Sequence, residues 1–269
     1  MSMDRREFIR LTGLSALLGL GGKAAFDLIL PGAVDAAEKA KPAAEGVRWA
    51  MVVDMRKLDQ KTAQRCIEAC HILHNVADYA KPVNPKDAVS PEEIVRWQMK
   101  WIWTEDYGHA FPGVEQDHLQ EKLKGMQFLL LCNHCDNPPC VRVCPTQATY
   151  RRPDGVVMMD MHRCIGCRFC MAGCPYAARS FNWRDPRPFI PKINDDYPTR
   201  EIGVVEKCLF CEERLAQGQI PACAEASGGA MVFGNLNDAK SQVRELLRAH
   251  FTIRRKPFMG TNPQVYYIV

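Results

Sequence analysis

Two cysteine runs stand in tandem near the middle of the chain: CNHCDNPPCVRVCP at residues 132–145 and CIGCRFCMAGCP at residues 164–175. Each run has three close cysteines and a fourth that is followed directly by proline. Two-residue gaps let a loop turn its thiolates inward, but one short loop cannot surround a cubic metal core. Because such runs exchange their fourth ligand, the tandem predicts a pair of [4Fe–4S] clusters. The prolines fix φ and remove a donor, so the chain turns at Pro145 and Pro175.

Two other uses of crowded cysteines remain open from these runs alone. Zinc also takes four thiolates, although its motifs usually pair their cysteines two and two. A zinc-stapled interaction module is therefore the alternative function of another class. Disulfides are the alternative for an exported chain. The colour of the purified protein distinguishes iron–sulfur clusters from zinc, because iron–sulfur proteins are brown and zinc proteins are colourless.

The five cysteines outside these runs form two incomplete motifs. Downstream, C-x2-C-x11-C-x3-S covers residues 208–227 and ends in serine where a fourth cysteine would complete it. Upstream, Cys66-x3-Cys70 is the end of a run whose first two positions hold Gln60 and Ala63. The three positions without cysteine, Gln60, Ala63 and Ser227, would all have bound the same fourth cluster. This predicts three complete clusters, one lost cluster, and Cys66 as a buried free thiol.

The same exchange of fourth ligands assigns twelve cysteines to three sets, which we call groups 1, 2 and 3. The predicted metal ligands are Cys132, Cys135, Cys140 and Cys174 in group 1; Cys164, Cys167, Cys170 and Cys144 in group 2; and Cys208, Cys211, Cys223 and Cys70 in group 3. The expected cofactors are therefore three [4Fe–4S] clusters.

A covalent haem is a further alternative for the upstream motif. Cys66-x3-Cys70-His71 is one residue longer than the usual C-x-x-C-H attachment sequence. We therefore interpret His71 and His74 as ordinary polar residues on a helix that follows Cys70.

The N-terminal segment is typical of an export signal. Residues 4–10 read DRREFIR and resemble a twin-arginine signal; an apolar stretch follows, and small residues offer a cleavage site after Ala36. Lys23 and Asp27 interrupt the apolar stretch before it reaches the roughly 18 residues of a membrane span. A cleaved signal is favoured over a retained anchor. The sequence thus predicts a location on the periplasmic side of the cytoplasmic membrane.

Outside the cysteine runs, short patterns predict the secondary structure. Strands are expected at 48–55, 128–131, 179–183 and 231–233, a hairpin at 148–152 and 156–160, and a helix at 238–250. Ser90-Pro91-Glu92-Glu93 predicts a capped helix start, after which Ile94, Trp97 and Trp101 fall on one face. The proline-rich residues 185–197 are expected to form a surface loop.

Charge and motifs exclude two classes of function. The formal net charge is +4, with no basic stripe and no recognised nucleic-acid motif. Nothing in the sequence resembles a nucleophile–base pair or a phosphate-cradling loop. We therefore expect neither a nucleic-acid partner nor a catalytic site of the chain's own.

Several segments together carry a resemblance to a known family. They are RWAMVVD at 48–54, the two runs at 132–140 and 164–170, RSFNWRDP at 179–186, FTIRRK at 251–256 and YYIV at 266–269. The set resembles the four-cluster iron–sulfur subunits of membrane oxidoreductases, and within them the DsrO subunits of the DsrMKJOP complex of sulfur-metabolising prokaryotes. The chain departs from the wider family in its lost fourth cluster.

The resemblance implies a fold and an organisation. The fold is α+β and loop-rich, with two interleaved bacterial-ferredoxin-like modules and long loop and helix insertions. The expected divisions are a twin-arginine signal at 1–36, a linker at 37–47, an outer module at 48–127 and 176–251, an inner core at 128–175, and an extended tail at 252–269.

The resemblance also implies a function. The chain would be an electron-transfer subunit that relays electrons between a multihaem cytochrome c (DsrJ-like) and an integral-membrane quinone-reactive subunit (DsrP-like), beside further subunits. The complex would link the quinone pool to sulfite reduction. The alternative of the same class is the iron–sulfur subunit of a molybdenum enzyme or hydrogenase.

Overall fold

The structure is a computed structural model that describes residues 46–112, 123 and 125–269. The expected export signal and most of the expected linker lie outside these residues. All described residues belong to one unit, which spans Ala43–Val269. Within the described part of the chain, no helix is both long enough and apolar enough to cross a membrane.

The described residues contain eight α-helices, most of them one or two turns long. They are α1 (Gln60–Leu73), α2 (Pro91–Trp97), α3 (Tyr107–Ala110), α4 (Pro139–Arg142), α5 (Phe169–Ala172), α6 (Glu212–Ala216), α7 (Ala222–Ala226) and α8 (Gln242–Ala249). The strands are β1 (Trp49–Asp54), β2 (Ile102–Asp106), β3 (Gln127–Leu131), β4 (Thr149–Arg151), β5 (Val157–Met159), β6 (Ser180–Phe181), β7 (Val205–Glu206), β8 (Met231–Asn235), β9 (Thr252–Ile253) and β10 (Val265–Ile268).

The largest sheet has four strands in the order β8-β1-β10-β9. β1 pairs in parallel with β10 and antiparallel with β8, so it is a central strand. Its residues Ala50 to Val53 are fully buried, which fits its nearly continuous apolar sequence. One face packs against Val243 of α8, and the other face belongs to the main core. The expected tail at 252–269 thus contributes two strands to the sheet of its own chain.

Three two-stranded sheets surround the cysteine runs. The predicted hairpin is confirmed as β4–β5, with Thr149 opposite Met159. β3, which leads into the first run, pairs with β2, and β6, which follows the second run, pairs with β7. α4 and α5 start inside the two runs and pack against each other. The inner core therefore has the repeated loop-and-helix arrangement of a ferredoxin-like module.

The predicted capping box is confirmed at the start of α2. Glu93 N donates to Ser90 Oγ at 3.3 Å, and Ser90 N donates to Glu93 Oε2 at 3.0 Å. The expected continuation of the helix to Trp101 is wrong. Gln98 is extended, so α2 ends at Trp97. Trp101 is buried elsewhere, and its Nε1 donates to Glu206 Oε2 at 2.6 Å.

The expectation of a surface loop at 185–197 is also wrong for its middle. Phe189 and Ile190 are buried in the main core. Asn75 ties the far end of the segment down, because its side chain donates to the carbonyl oxygen of Asn194 at 2.9 Å and accepts from Asn194 N at 2.7 Å. The prolines of this segment mark turns between buried anchor points rather than an outer loop.

Candidate metal centres

The four cysteines of group 1 line one small cavity. Cys132, Cys135 and Cys140 come from the first run, and Cys174 comes from the end of the second run. The remaining lining includes Tyr176, Val157 and three prolines, so the surroundings are mostly apolar. The structure therefore brings together the four cysteines that the sequence assigned to group 1.

The four cysteines of group 2 line a second small cavity. Here Cys144, from the end of the first run, joins the three close cysteines of the second run. Cys167 is exposed, so this cavity opens toward solvent. Gly166 beside it has φ of +69°, and an added Cβ would collide with the backbone oxygen of Gly203. The close approach of the two loops therefore requires glycine at this position.

The four cysteines of group 3 also lie together, although they come from three separate segments. All four are buried. The pKa of Cys70 is raised well above its ordinary value, first by burial and then by the other three sulfur atoms of the group. Cys70 lies on α1, and Cys211 and Cys223 lie at the starts of α6 and α7.

The backbone of each cysteine run contains left-handed residues. φ is +39° at His134, +63° at Arg168 and +57° at Phe210, and Cys211 is also left-handed. Alternation of left- and right-handed residues turns successive N–H groups inward, which is a feature of many iron–sulfur sites. Several N–H groups already point at sulfur atoms, since Phe210 N lies 3.4 Å from Cys208 Sγ and Ala222 N lies 3.4 Å from Cys211 Sγ.

The chemistry of the buried thiols fits a cationic metal core. Burial raises the pKa of Cys135 to about 12. Burial, together with the nearby Cys132, also raises the pKa of Cys208 to about 12. Such thiols become thiolates only when a positive centre compensates their charge. Cys144 differs, because its pKa is lowered overall. Burial raises this pKa, but the hydrogen bonds that its sulfur atom accepts, first of all from Thr149 N, outweigh the effect of burial. None of the thirteen cysteines, all within the described residues, forms a disulfide.

Group 1 is the neighbour of both other groups. Burial and the nearby Cys140 of group 1 raise the pKa of Cys170 in group 2, against the opposing effect of Arg179. Cys132 of group 1 is, after burial, the main cause that raises the pKa of Cys208 in group 3. The aromatic pair His134 and Phe210 stacks with ring centroids 3.6 Å apart and links the loops of groups 1 and 3.

A helix contains the two positions, Gln60 and Ala63, that the sequence assigned to a lost fourth cluster. This helix, α1, starts where Thr62 N donates to Asp59 Oδ1 at 2.7 Å. α1 packs against α7, and Cys66 is fully buried in the core as expected. Ser227 Oγ donates to the carbonyl oxygen of Ala224 at 2.7 Å and accepts from Met231 N at 2.9 Å. The Ser227 hydroxyl is thus hydrogen-bonded to nearby backbone groups. Helix packing is found where the sequence pattern would have required cluster ligands.

The roles of His74 and Glu213, which lie beside Cys211 of group 3, were missed in the sequence. The interpretation of His74 as an ordinary polar residue is wrong, because His74 is the buried C-cap of α1. The expected helix also does not follow Cys70 but contains it, and it ends at Leu73. His74 Nε2 lies 3.0 Å from Glu213 Oε1. Ligand atoms of His74, Glu213 and Cys211 all lie within 4.8 Å of one another. His71, also called ordinary, has a buried Nε2 without a hydrogen-bond partner. Only the contact between His74 and Glu213, 139 residues apart in the sequence, reveals the role of His74.

Comparison with known proteins agrees with this geometry. A family model described as a 4Fe-4S dicluster domain matches residues 124–187. Hdr-like menaquinol oxidoreductase iron-sulfur subunit 1 of Archaeoglobus fulgidus is 36% identical over 287 residues, which cover 98% of this chain and 97% of that protein.

Two further relatives span most of the chain. The menaquinone reductase iron-sulfur cluster-binding subunit of Nitratidesulfovibrio vulgaris is 32% identical over 82% of this chain and 89% of its own length. The arsenate respiratory reductase iron-sulfur subunit ArrB of Shewanella sp. is 37% identical over 82% of this chain and 96% of its own length. With its cysteine groups and these full-length relatives, the chain belongs to the family of [4Fe–4S] electron-transfer subunits of oxidoreductase complexes.

Proposed function

We propose that the chain holds three [4Fe–4S] clusters, one in each cysteine group, and relays single electrons along them. The observation that carries the proposal is the assembly of twelve cysteines from distant segments into three sets of four. Each cluster, when bound, supplies a one-electron redox couple. The protein's part is to fix the sulfur atoms, bury them and direct N–H groups at them. A relay of this kind needs no catalytic residue of the chain's own.

The ligand sets are part of the proposal. Group 1 takes its fourth thiolate from Cys174, group 2 from Cys144 and group 3 from Cys70. Support comes from the two lined cavities and from the position of Cys70 beside its three partners. We infer the order 2–1–3 for the groups, because the helices inside the two runs, α4 and α5, pack against each other and His134 of the first run stacks on Phe210, between Cys208 and Cys211. An electron path would therefore enter or leave at groups 2 and 3.

The proposed partners are a haem c subunit and a quinone-reactive membrane subunit of a complex linked to sulfite reduction. The names of two full-length relatives refer to menaquinol and menaquinone oxidoreductases, which favours the quinone side. The resemblance to DsrO subunits supports the haem partner and the sulfur chemistry. The alternative, an electron-transfer subunit of a molybdenum enzyme, is favoured by the relative from an arsenate respiratory reductase. Identification of the subunits that co-purify with the tagged chain decides between them.

Iron and acid-labile sulfide per chain test the cluster content. Protein purified without oxygen should contain about 12 iron atoms, with reduced-state EPR signals of [4Fe–4S] clusters. About 16 iron atoms would contradict the lost fourth site, and about 8 would contradict group 3. Zinc in place of iron would overturn the electron-transfer function.

We also propose export to the periplasmic side of the membrane by the twin-arginine signal. Replacement of both Arg5 and Arg6 by lysine should keep the cluster-loaded protein in the cytoplasm, which cell fractionation measures. Arg10→Lys is the matched control, because it lies outside the arginine pair. Export of the double variant at the normal level would refute this route.

A further inference from the structure

Among the described residues, four cationic side chains are almost completely buried: Arg179, Arg200, Lys207 and Arg255. Arg200 has a conventional partner, since its Nε lies 2.9 Å from Glu206 Oε2. None of the other three has a carboxylate of the described residues within ion-pair distance. Arg255 donates to the carbonyl oxygens of Ala110 and Tyr176 and, among the cysteine groups, faces group 1 alone through Cys174. A buried charge without a counter-charge is strongly destabilising, so Arg179 and Lys207, each between two groups, need another source of negative charge.

Arg179 lies where groups 1 and 2 meet. Its Nη1 donates to Thr149 Oγ1 at 3.1 Å and approaches Met159 Sδ at 3.7 Å, and its Nη2 is buried without a hydrogen-bond partner. Its side chain lines the group 1 cavity, and Met159, which it approaches, lines the group 2 cavity. A guanidinium stays charged at any physiological pH, so the interface of the two groups holds a fixed positive charge.

Lys207 has the equivalent place between groups 1 and 3. It is fully buried, and its Nζ donates to the carbonyl oxygens of Val157 and Cys208, the latter at 2.7 Å. Two carbonyl acceptors fit an ammonium group, which only donates. Val157 lines the group 1 cavity and Cys208 belongs to group 3, so these two acceptors place Nζ beside both groups.

We propose that Arg179 and Lys207 are shared counter-charges, each of which stabilises the reduced state of the two clusters that it separates. This inference rests on the proposed function. Each cluster gains negative charge on reduction, and a cation in a poorly screened interior favours the form with more negative charge. Both residues therefore raise the reduction potentials of their two neighbours. Because group 1 lies beside both cations, both raise the reduction potential of its cluster, whereas each of the other two clusters is raised by one.

The test is a crossed pattern of reduction potentials, measured by EPR-monitored redox titration of the purified, cluster-loaded chain. Arg179→Gln should lower the midpoint potentials of clusters 1 and 2 and leave that of cluster 3 unchanged. Lys207→Met should lower those of clusters 1 and 3 and leave that of cluster 2 unchanged. We expect at least a tenfold fall in the ratio of reduced to oxidised cluster at a fixed solution potential, which is about 59 mV for a one-electron couple.

Three controls separate charge from structure. Arg179→Lys and Lys207→Arg keep the charge and should keep the potentials near those of the parent protein. Lys240→Gln removes an equal charge from an exposed position and should change none of the three potentials, because solvent screens it.

Iron content, measured on every variant, distinguishes failure of the proposed function from failure of this inference. A parent protein with no [4Fe–4S] clusters would defeat the proposed function. Normal iron with unchanged potentials, or with an equal shift of all three clusters, would overturn the inference alone. If the two neutral variants lose iron, retention of iron by both charge-conserving variants supports the role of the charges. Loss from the charge-conserving variants as well overturns it.

Discussion

Two cysteines on one helix give a sharp test of the ligand assignment. Cys66 and Cys70 are one turn apart on α1, and their exposed fractions are 0% and 4%. Substitution of either by alanine removes a single buried sulfur atom from the same helix. Only Cys70, however, is assigned to a cluster. Since Cys66 also lies near Cys223, the assignment is a real choice between two neighbours.

We expect Cys70→Ala to remove the group 3 cluster. Only three thiolates remain there, so iron should fall from about 12 to about 8 atoms per chain. One of the three sets of [4Fe–4S] EPR signals should disappear. The signals of groups 1 and 2 should stay, because their ligands come from residues 132–174 alone.

We expect Cys66→Ala to keep about 12 iron atoms and all three sets of signals. Its cost in the free energy of unfolding should be about 1 kcal/mol, as for loss of one methyl group from a core. Iron analysis and EPR of the two variants, prepared side by side without oxygen, form the assay. Loss of iron from Cys66→Ala with full iron in Cys70→Ala would refute the register of the upstream motif.

Three further outcomes follow from the same contacts. Ser227→Cys should leave the iron content at about 12 atoms per chain, because α1 offers the lost site no ligands at Gln60 and Ala63; a gain of iron, measured by the same analysis, would contradict the structure. Removal of the clusters by a chelator and a reductant should unfold much of the chain, because the three cysteine groups and two buried cations then lose their compensating partner; circular dichroism and limited proteolysis measure this, and a protease-resistant apoprotein would argue against it. Ser90→Ala should cost α2 about 1 kcal/mol, seen as faster hydrogen exchange over residues 91–97, while Ser241→Ala is a suitable control because Ser241 makes no side-chain cap bond.

The parts of the fold that the sequence predicted depend on local chemistry. The β4–β5 hairpin follows from a turn between two alternating segments, and the capping box at Ser90 follows from residues three positions apart. For these two features, the information lies within a few residues of the feature itself. Spacing within a run likewise indicates which three sulfur atoms lie together, whereas the fourth cysteine of each group comes from another run and was assigned by the exchange of ligands between runs.

The remaining parts depend on partners far away in the chain. The pairing of β1 with β10 joins Met51 to Val265, and no pattern in either segment names the other. The burial of Phe189 and His74 likewise depends on neighbours from distant segments. The cations between the groups were invisible for the same reason, because Arg179 and Lys207 look like ordinary charged residues in the sequence.

The position of β10 has a consequence for the order of events during synthesis. All thirteen cysteines precede β10 in the chain, and β1 lacks its parallel neighbour until β10 has left the ribosome. About 40 residues separate the last cysteine, Cys223, from Val265, which takes roughly 2–8 s at 5–20 residues per second. During that time the nascent chain already presents all its thiols while the central sheet is still open. The proposed clusters can thus receive their iron before β10 closes the sheet.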